Sequence, residues 1–342
     1  MDVDIILEPD LTPAQITELG LAAEKYGIRG LWTSNFFAHY DCFLSLAELA
    51  RESKTLHMGP LAVSPFEMHP MKIANSLLTL NEMTGGRTHI AVGAGEGNLD
   101  AYDIQKPKKV VLAVREAIEI IRAAASGGLA EGGYKGEIFN VTYPCAMDYV
   151  KAPAPRVYAA CYRHMMMRMG GRVADGVFIG CTPTEIIEPA IENIHIGVAK
   201  RAEPVEKFPI NSFWAWHIKE DREAAYRESR RELPWRARKL DPDLVKVFVG
   251  EEKAQFVADH FQDYVDMYFA DNDEVKGVPK ELSNELCEAL TSTGGIEDLD
   301  REIERFKKFG EAGQTELGLR LHGDPMEGLK IIGEHVVCLL YT

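Results

Sequence analysis

"MGPLAVSPFEMHPMKIANSLLTLNEMTGGRTHIAVGAGEGN", residues 58–98, decides the architecture. Its first part completes an apolar run, TLHMGPLAVSP (55–65), which reads as a buried strand. Pro70 then sits at a helix start and Gly85–Gly86 at its end, with apolar residues at helical spacing between them in HPMKIANSLLTLNEMTGG (69–86). RTHIAVGAG (87–95) returns to strand. Two buried strands joined by a helix form a parallel crossover unit.

The unit recurs in both directions. Upstream, VDIILE (3–8) and IRGLWTS (28–34) are strands, and LTPAQITELGLAAEKYG (11–27) and DCFLSLAELARES (41–53) are helices. Downstream, helix PKKVVLAVREAIEIIRAAASGG (107–128) precedes a Gly-rich excursion, 127–152, that contains a hairpin-like piece, GGYKGEIFNVTYP (132–144). The alternation resumes with strand PRVYAAC (155–161), helix HMMMRMGGRVA (164–174), strand GVFIG (176–180), helix PTEIIEPAIENIHIGVAKRA (183–202) and strand PINSFWAWHI (209–218). Residues 221–296 are helical, charged and too long for one crossover, and read as an insertion after the seventh strand that forms a cap or an oligomer contact. Helix IEDLDREIERFKKFGEAG (296–313), strand ELGLRL (316–321) and helix PMEGLKIIGEHVV (325–337) close the chain. Eight strands alternating with helices predict a single α/β domain over 1–342, a (β/α)8 TIM barrel, with a doubly wound sheet as the competing arrangement.

Charge and composition narrow the function. Lysine plus arginine number 38 against 53 acids, a net charge of −15. Nucleic-acid binding needs a basic footprint and is not expected. No apolar run approaches a membrane span of ~20 residues, so no membrane partner is expected. The N-terminus MDVDIILEPD lacks the basic start of a signal peptide, and a cytoplasmic protein is the expectation. Six scattered cysteines without a CxxC pair read as reduced thiols. The histidines show no metal-ligand spacing, and no metal is expected.

In a barrel of this kind, reactive residues stand at the carboxyl ends of strands. Those positions are Glu8; Ser34, Asn35 and His39; Val63, Ser64 and Phe66; Glu96 and Asn98; Cys161, Tyr162, Arg163 and His164; Cys181 and Thr182; Trp214, Trp216 and His217; and His322. Acids, histidines and aromatic surfaces together fit a pocket for a planar cofactor. GAGEG (93–97) lacks the spacing of a dinucleotide fingerprint and follows the fourth strand, not the first. Its glycines either let a ring system lie against the backbone or form a plain turn carrying a solvated Glu96.

GLWTSNFF (30–37), the 58–98 stretch and PRVYAACYRHMMMRMGGRVADGVFIG (155–180) together resemble the bacterial luciferase-like superfamily. The resemblance spans about residues 2–200 and resumes over 297–338. It implies a single barrel that uses FMN or the deazaflavin coenzyme F-420 (8-hydroxy-5-deazaflavin). The chain looks most like the deazaflavin-dependent branch that holds the methylenetetrahydromethanopterin reductases and the glucose-6-phosphate dehydrogenases of that type. That implies hydride transfer between F-420 and a small organic substrate, with Glu8, Glu96 and His39 as candidate proton-handling catalytic residues. Asn35, Gly93, Gly95 and Asn98 would border the cofactor. The resemblance places a strand-three bulge with a non-prolyl cis peptide at Leu61–Ala62, beside Val63 and Ser64. It places the cofactor's phosphate on the amides of Cys161, Tyr162, Arg163, His164 and Met165. Trp214, Trp216 and His217 would line the substrate side.

One departure matters. The branch commonly carries Asp-His at the end of strand two, where this chain has Ser34 and Asn35. His39 either takes over that role or is a surface-loop histidine. The departure keeps an FMN-dependent two-component monooxygenase, served by a separate flavin reductase, as the alternative. A non-catalytic flavin-binding barrel is a lesser one. The resemblance also implies a homodimer.

Overall fold

The computed structural model describes residues 1–105 and 108–340. Eight parallel strands form the sheet: β1 (Asp2–Leu7), β2 (Gly30–Ser34), β3 (His57–Leu61), β4 (Ile90–Val92), β5 (Val157–Cys161), β6 (Gly176–Gly180), β7 (Ile210–Ile218) and β8 (Glu316–Leu321). The pairing runs β3-β2-β1-β8-β7-β6-β5-β4. Bridges Met58↔Thr88 and Val63↔Val92 join β3 to β4, so the sheet closes into a barrel. The doubly wound alternative is excluded by that closure.

Helices clothe the outside: α1 (Pro13–Lys25), α2 (Ala47–Glu52), α3 (Pro70–Thr84), α4 (Val110–Ser126), α5 (His164–Val173), α6 (Thr184–Val198), α7 (Leu299–Glu311) and α8 (Pro325–His335). Their starts follow local chemistry. Thr12 and Gln15 form a capping box ahead of α1, and Pro13 occupies its first turn. Gly85 ends α3 in the left-handed conformation. The hairpin pairs Tyr134–Lys135 with Asn140–Val141. Helices occupy most of 222–290, but Ser292–Gly294 returns to strand and pairs with Trp216–Ile218 of β7. That short strand, which the helical reading of 221–296 did not anticipate, takes the edge of β7 opposite β8.

Strand alternation sorts side chains between interior and helical layer. Outward residues such as Val3, Ile5, Leu7, Leu317 and Leu319 join the large core beneath the helices. Inward residues stack in levels. At the amino-terminal floor, Arg29 pairs with both Asp4 and Glu316. Asn211 Nδ2 donates to Asp4 at 2.7 Å and to Glu316 at 3.1 Å, and Trp32 Nε1 donates to Asp4 at 2.9 Å. Burial pushes both carboxyls toward neutrality. At Asp4, Arg29 and the Trp32 and Asn211 donors outweigh it and hold the pKa below the ordinary range. At Glu316 burial, together with the charge of Asp4, prevails over Arg29.

Above the floor the barrel is solid. Ile6, Trp32, Leu61, Ala91, Tyr158 and Phe178 form an inner cluster, joined by Phe213 and Ala62. The Trp32 ring meets Phe178 edge-on at 4.8 Å and Tyr158 at 5.6 Å. Above this plug the inward positions shrink. A Cβ on Gly93 would lie 3.2 Å from Ala160 Cβ and 3.3 Å from Ala62 Cβ, so three minimal side chains face one another there.

A histidine pair beside the floor generates a pH dependence. The Arg156 amide donates to His89 Nδ1 at 3.1 Å, which leaves the proton on Nε2 facing His57 Nδ1 at 2.9 Å. Burial, with His57, Arg156 and Arg29 nearby, lowers the His89 pKa to about 3. Unfolded His89 titrates near its ordinary value, so below that pH the unfolded chain binds a proton that the native chain refuses. Stability is therefore lost as pH falls. Between pH 7 and pH 5, His89 is expected to remove about 2 kcal/mol. Urea denaturation at both pH values checks this. His89→Gln should flatten the difference by that amount, and an unchanged slope refutes it.

Candidate active site at the barrel mouth

The carboxyl end of the barrel gathers the polar residues. The Leu61–Ala62 peptide at the end of β3 is cis. The Asn35 amide N–H donates to Leu61 O at 3.1 Å, and Asn35 Nδ2 donates to Ala62 O at 3.3 Å, so the end of β2 is fastened to the bulge. Ser64 is fully buried, and its hydroxyl donates to Ala94 O at 3.0 Å. These bonds fix the loops after β2, β3 and β4 to one another.

At their junction stands a residue that sequence reading missed. Glu67 Oε2 accepts from Asn35 Nδ2 at 3.1 Å and from Asn98 Nδ2 at 2.9 Å. Gly95 is left-handed (φ +70°), and a Cβ there would fall 2.5 Å from Glu67 Oε1 and 2.5 Å from Ser64 Cβ. Two of the expected cofactor neighbours, Asn35 and Asn98, therefore share one carboxylate. The available signal was an acid three residues after Ser64, in the loop that follows the bulge. It carried no motif.

The opposite rim is ionic. Both Glu8 oxygens accept from Arg320, the Nη2 bond being 2.7 Å. Arg320 also lies over the Phe213 ring at 5.1 Å. His322 Nε2 is 3.1 Å from Arg236 Nη2 and must accept, because guanidinium only donates. The His322 proton is thus on Nδ1, 3.3 Å from Glu8 Oε1. Burial first, then Arg320, His217 and Arg236, hold His322 neutral well below its usual titration range. His217 stacks on His322 at 4.7 Å. Its Nδ1 lies 2.8 Å from Glu228 Oε1, and burial keeps the ring pKa low against that carboxylate. A neutral ring that donates from Nδ1 leaves Nε2 as a bare acceptor.

Arg236 reaches this cluster from the helical insertion. Ala237–Leu240 form a turn with φ of 43°, 57°, 64° and 54°, left-handed at four consecutive non-glycine residues. Each such residue costs ~1–2 kcal/mol. Contacts with the mouth hold the turn: Arg238 Nη2 donates to Tyr162 O at 3.1 Å, and Lys239 Nζ lies 3.8 Å from Asp100. The insertion therefore touches the loops after β4 and β5.

The predicted residues divide accordingly. Asn35, Ala62, Ser64, Gly93, Gly95 and Asn98 meet on one side of the mouth, and Glu8 and His217 on the other. Leu61 points inward into the plug, whereas Val63 is buried in the outer core. Arg163 caps α5, whose first residues His164 and Met165 are exposed, and Tyr162 lays its ring against Gly180. The Cys161 side chain faces α5, so only its backbone is available to a ligand. His39 is exposed and stacks on Phe36 at 5.4 Å, and no described contact joins it to Glu8 or Glu67. Glu96 starts a short helix, and its side chain lies outside the described residues.

Trp214 and Trp216 are a correction. Both occupy outward positions of β7 and pack under the helices, Trp214 against Phe309 at 5.3 Å and Trp216 against Phe306 at 6.3 Å. Trp214 Nε1 donates to Ser292 and its ring carries Arg305. Period-two alternation sends them away from the mouth, while His217 points in. Neither tryptophan lines a substrate.

Two substitutions test this layout. Gly95→Ala forces a side chain into the left-handed conformation against Ser64 and Glu67, and should cost about 1–3 kcal/mol in denaturant unfolding. Trp214→Ala should cost about 3–5 kcal/mol as a core truncation. A loss under 0.5 kcal/mol in either refutes the packing described.

Comparison with known proteins agrees with the architecture. Residues 3–316 match the family described as luciferase-like monooxygenase. A 5,10-methylenetetrahydromethanopterin reductase of Archaeoglobus fulgidus is 25% identical over 342 residues, covering 98% of this chain and 99% of that protein. An F420-dependent glucose-6-phosphate dehydrogenase of Amycolatopsis mediterranei is 26% identical over 208 residues, 57% of this chain and 61% of its own. The solved coenzyme F420 dependent tetrahydromethanopterin reductase of Methanopyrus kandleri superposes with a TM-score of 0.79 at 21% identity, covering 98% of both chains. With a closed barrel, a cis bulge at the third strand and a family match over nearly its whole length, this chain belongs to the luciferase-like monooxygenase family.

Proposed function

We propose that the protein is an oxidoreductase that transfers a hydride between coenzyme F-420 and a small organic substrate. The observation that carries this reading is the seat formed by Ala62, Gly93 and Ala160 above the aromatic plug, in a chain whose relatives include F420-dependent enzymes. A seat without large side chains accepts a flat ring face-on. Buried side-chain atoms without partners among the described residues belong to residues of the mouth: Ser34 Oγ, Glu67 Oε1, His217 Nε2 and Arg236 Nε. Such atoms suit a polar planar ligand rather than a dry core.

When bound, the deazaflavin supplies two-electron hydride chemistry at ring carbon five. The chain supplies orientation and a proton. The first amides of α5, near Arg163, His164 and Met165, suit an anionic tail. Asn35 and Asn98 are locked by Glu67 and border the ring. Glu8 is held by Arg320, and His322 Nδ1 lies 3.3 Å from its Oε1, which puts an imidazole beside the acid. Glu96 stands at the start of its helix as a second acid. His217 Nε2 offers an acceptor to a substrate hydroxyl or N–H. The turn at Ala237–Leu240 touches the mouth from the insertion side.

Titration of the purified protein with oxidised coenzyme F-420 and with FMN tests the reading. F-420 is expected to bind at least ~10-fold tighter, a difference of about 1.4 kcal/mol. Equal or tighter FMN binding with oxygen-dependent turnover replaces the proposal by the monooxygenase, and binding of neither removes the enzymatic reading. Glu8→Gln should lower kcat by ~10²-fold or more with the cofactor Kd within about threefold, the effect expected of a lost acid–base group. Glu96→Gln and His39→Ala in the same assay identify which further group exchanges the proton.

A further inference from the structure

We propose that Glu67 is a ligand-contacting carboxylate whose Oε1 accepts a hydrogen bond from the imide N–H of the cofactor's pyrimidinedione ring. This rests on the reading that a planar isoalloxazine-like group sits in the mouth.

The two oxygens of Glu67 have different surroundings. Oε2 is saturated by the carboxamides of Asn35 and Asn98. Oε1 is buried and has no hydrogen-bond partner among the described residues. A buried acceptor left unpaired costs ~1–3 kcal/mol, and more when charged. Gly95 lies against Oε1: it adopts φ +70°, and a Cβ there would fall 2.5 Å from that oxygen. Three strand ends cooperate in the arrangement. Asn35 comes from β2, Glu67 follows the cis bulge of β3, and Gly95 and Asn98 follow β4. Ser64 holds the β3 and β4 loops together by donating to Ala94 O at 3.0 Å.

The missing partner must be a donor. An oxidised isoalloxazine or deazaflavin plate carries one N–H on its ring system, the imide between two carbonyls. A carboxylate oxygen at the rim of the seat matches that edge and no other N–H of the plate. Deazaflavin and FMN share the imide, so Glu67 reads the ring common to both and does not choose between them. The two asparagines act through Glu67: with their N–H groups committed to Oε2 they fix its rotamer and turn Oε1 away from themselves.

The test uses equilibrium binding without substrate, read by fluorescence quenching. The probes are lumiflavin, 3-methyllumiflavin, in which the imide N–H is replaced by N–CH3, and oxidised coenzyme F-420. Wild-type protein should bind lumiflavin at least ~10-fold tighter than the methylated probe. Glu67→Gln can turn its carbonyl to the asparagines only by aiming its NH2 at the imide, and should weaken lumiflavin and F-420 by ~10–100-fold. In Glu67→Ala the preference for lumiflavin over 3-methyllumiflavin should fall below about threefold. Circular dichroism and melting temperature verify that the variants fold. Wild-type discrimination below threefold, or variants that bind lumiflavin within twofold of a wild type that F-420 saturates, overturns the role of Glu67 alone. Wild-type protein that binds none of the probes overturns the proposed function with it.

Discussion

A closed eight-stranded sheet leaves no choice about what fills its interior: alternate strands send in the side chains of each level, and their sizes decide where the barrel is solid. Here the middle of the barrel holds Trp32, Tyr158 and Phe178, which block the lumen, with Phe213 partly buried against them. The level above holds Ala62, Gly93 and Ala160, which cannot. The step from aromatic to minimal side chains makes a floor at Ala62 and Ala160, which are only partly buried. The site's depth is therefore set by packing in β2, β5 and β6, far from any residue with reactive chemistry.

The same geometry governs the charges. Net charge is −15, yet the inward polar residues at both ends of the barrel form paired networks. At the floor, Arg29 lies between Asp4 and Glu316, and Trp32, Asn211 and Tyr158 satisfy the remaining lone pairs. Removing one partner would leave a buried charge uncompensated, which is far costlier than the pair is stabilising. At the mouth, Glu8, Arg320, His322 and Arg236 form a comparable chain, but two atoms beside it, His217 Nε2 and Arg236 Nε, end without partners among the described residues. The floor is complete in itself. The mouth is not.

The barrel was legible because burial on both faces leaves continuous apolar runs, and the helices between them carry strong stop and start residues such as Pro13, Pro70 and Gly85. Even the cis bond at Leu61–Ala62 fell where family resemblance placed it. Legibility failed where function depends on direction across a strand. Trp214, Trp216 and His217 are neighbours in sequence, but alternation sends two of them under α7 and α8 and one into the lumen. An aromatic residue near a strand end carries no mark of which side it takes. The insertion hid still more. Arg236 and Arg238 look like ordinary surface cations until the left-handed turn, which no local propensity favours, brings them to His322 and Tyr162.

Glu67 shows why the glycines of GAGEG could be read in part only. Gly93 lies between Ala62 and Ala160, whose Cβ atoms a side chain there would meet at 3.3 Å and 3.2 Å. Gly95 serves a different need: its missing Cβ makes room for a carboxylate nearly thirty residues earlier in the chain. That carboxylate in turn engages Asn35, at the position where the resemblance led to the expectation of a histidine. The four positions form one device. A side chain at 95 displaces Glu67; loss of Glu67 frees the Asn98 carboxamide and leaves Asn35 held by Ala62 O alone; an imidazole at 35 could offer Glu67 an N–H but would forfeit the second donor bond to Ala62 O that ties β2 to the bulge. Asn35 at the end of strand two is thus one part of a mouth braced by an acid that follows strand three.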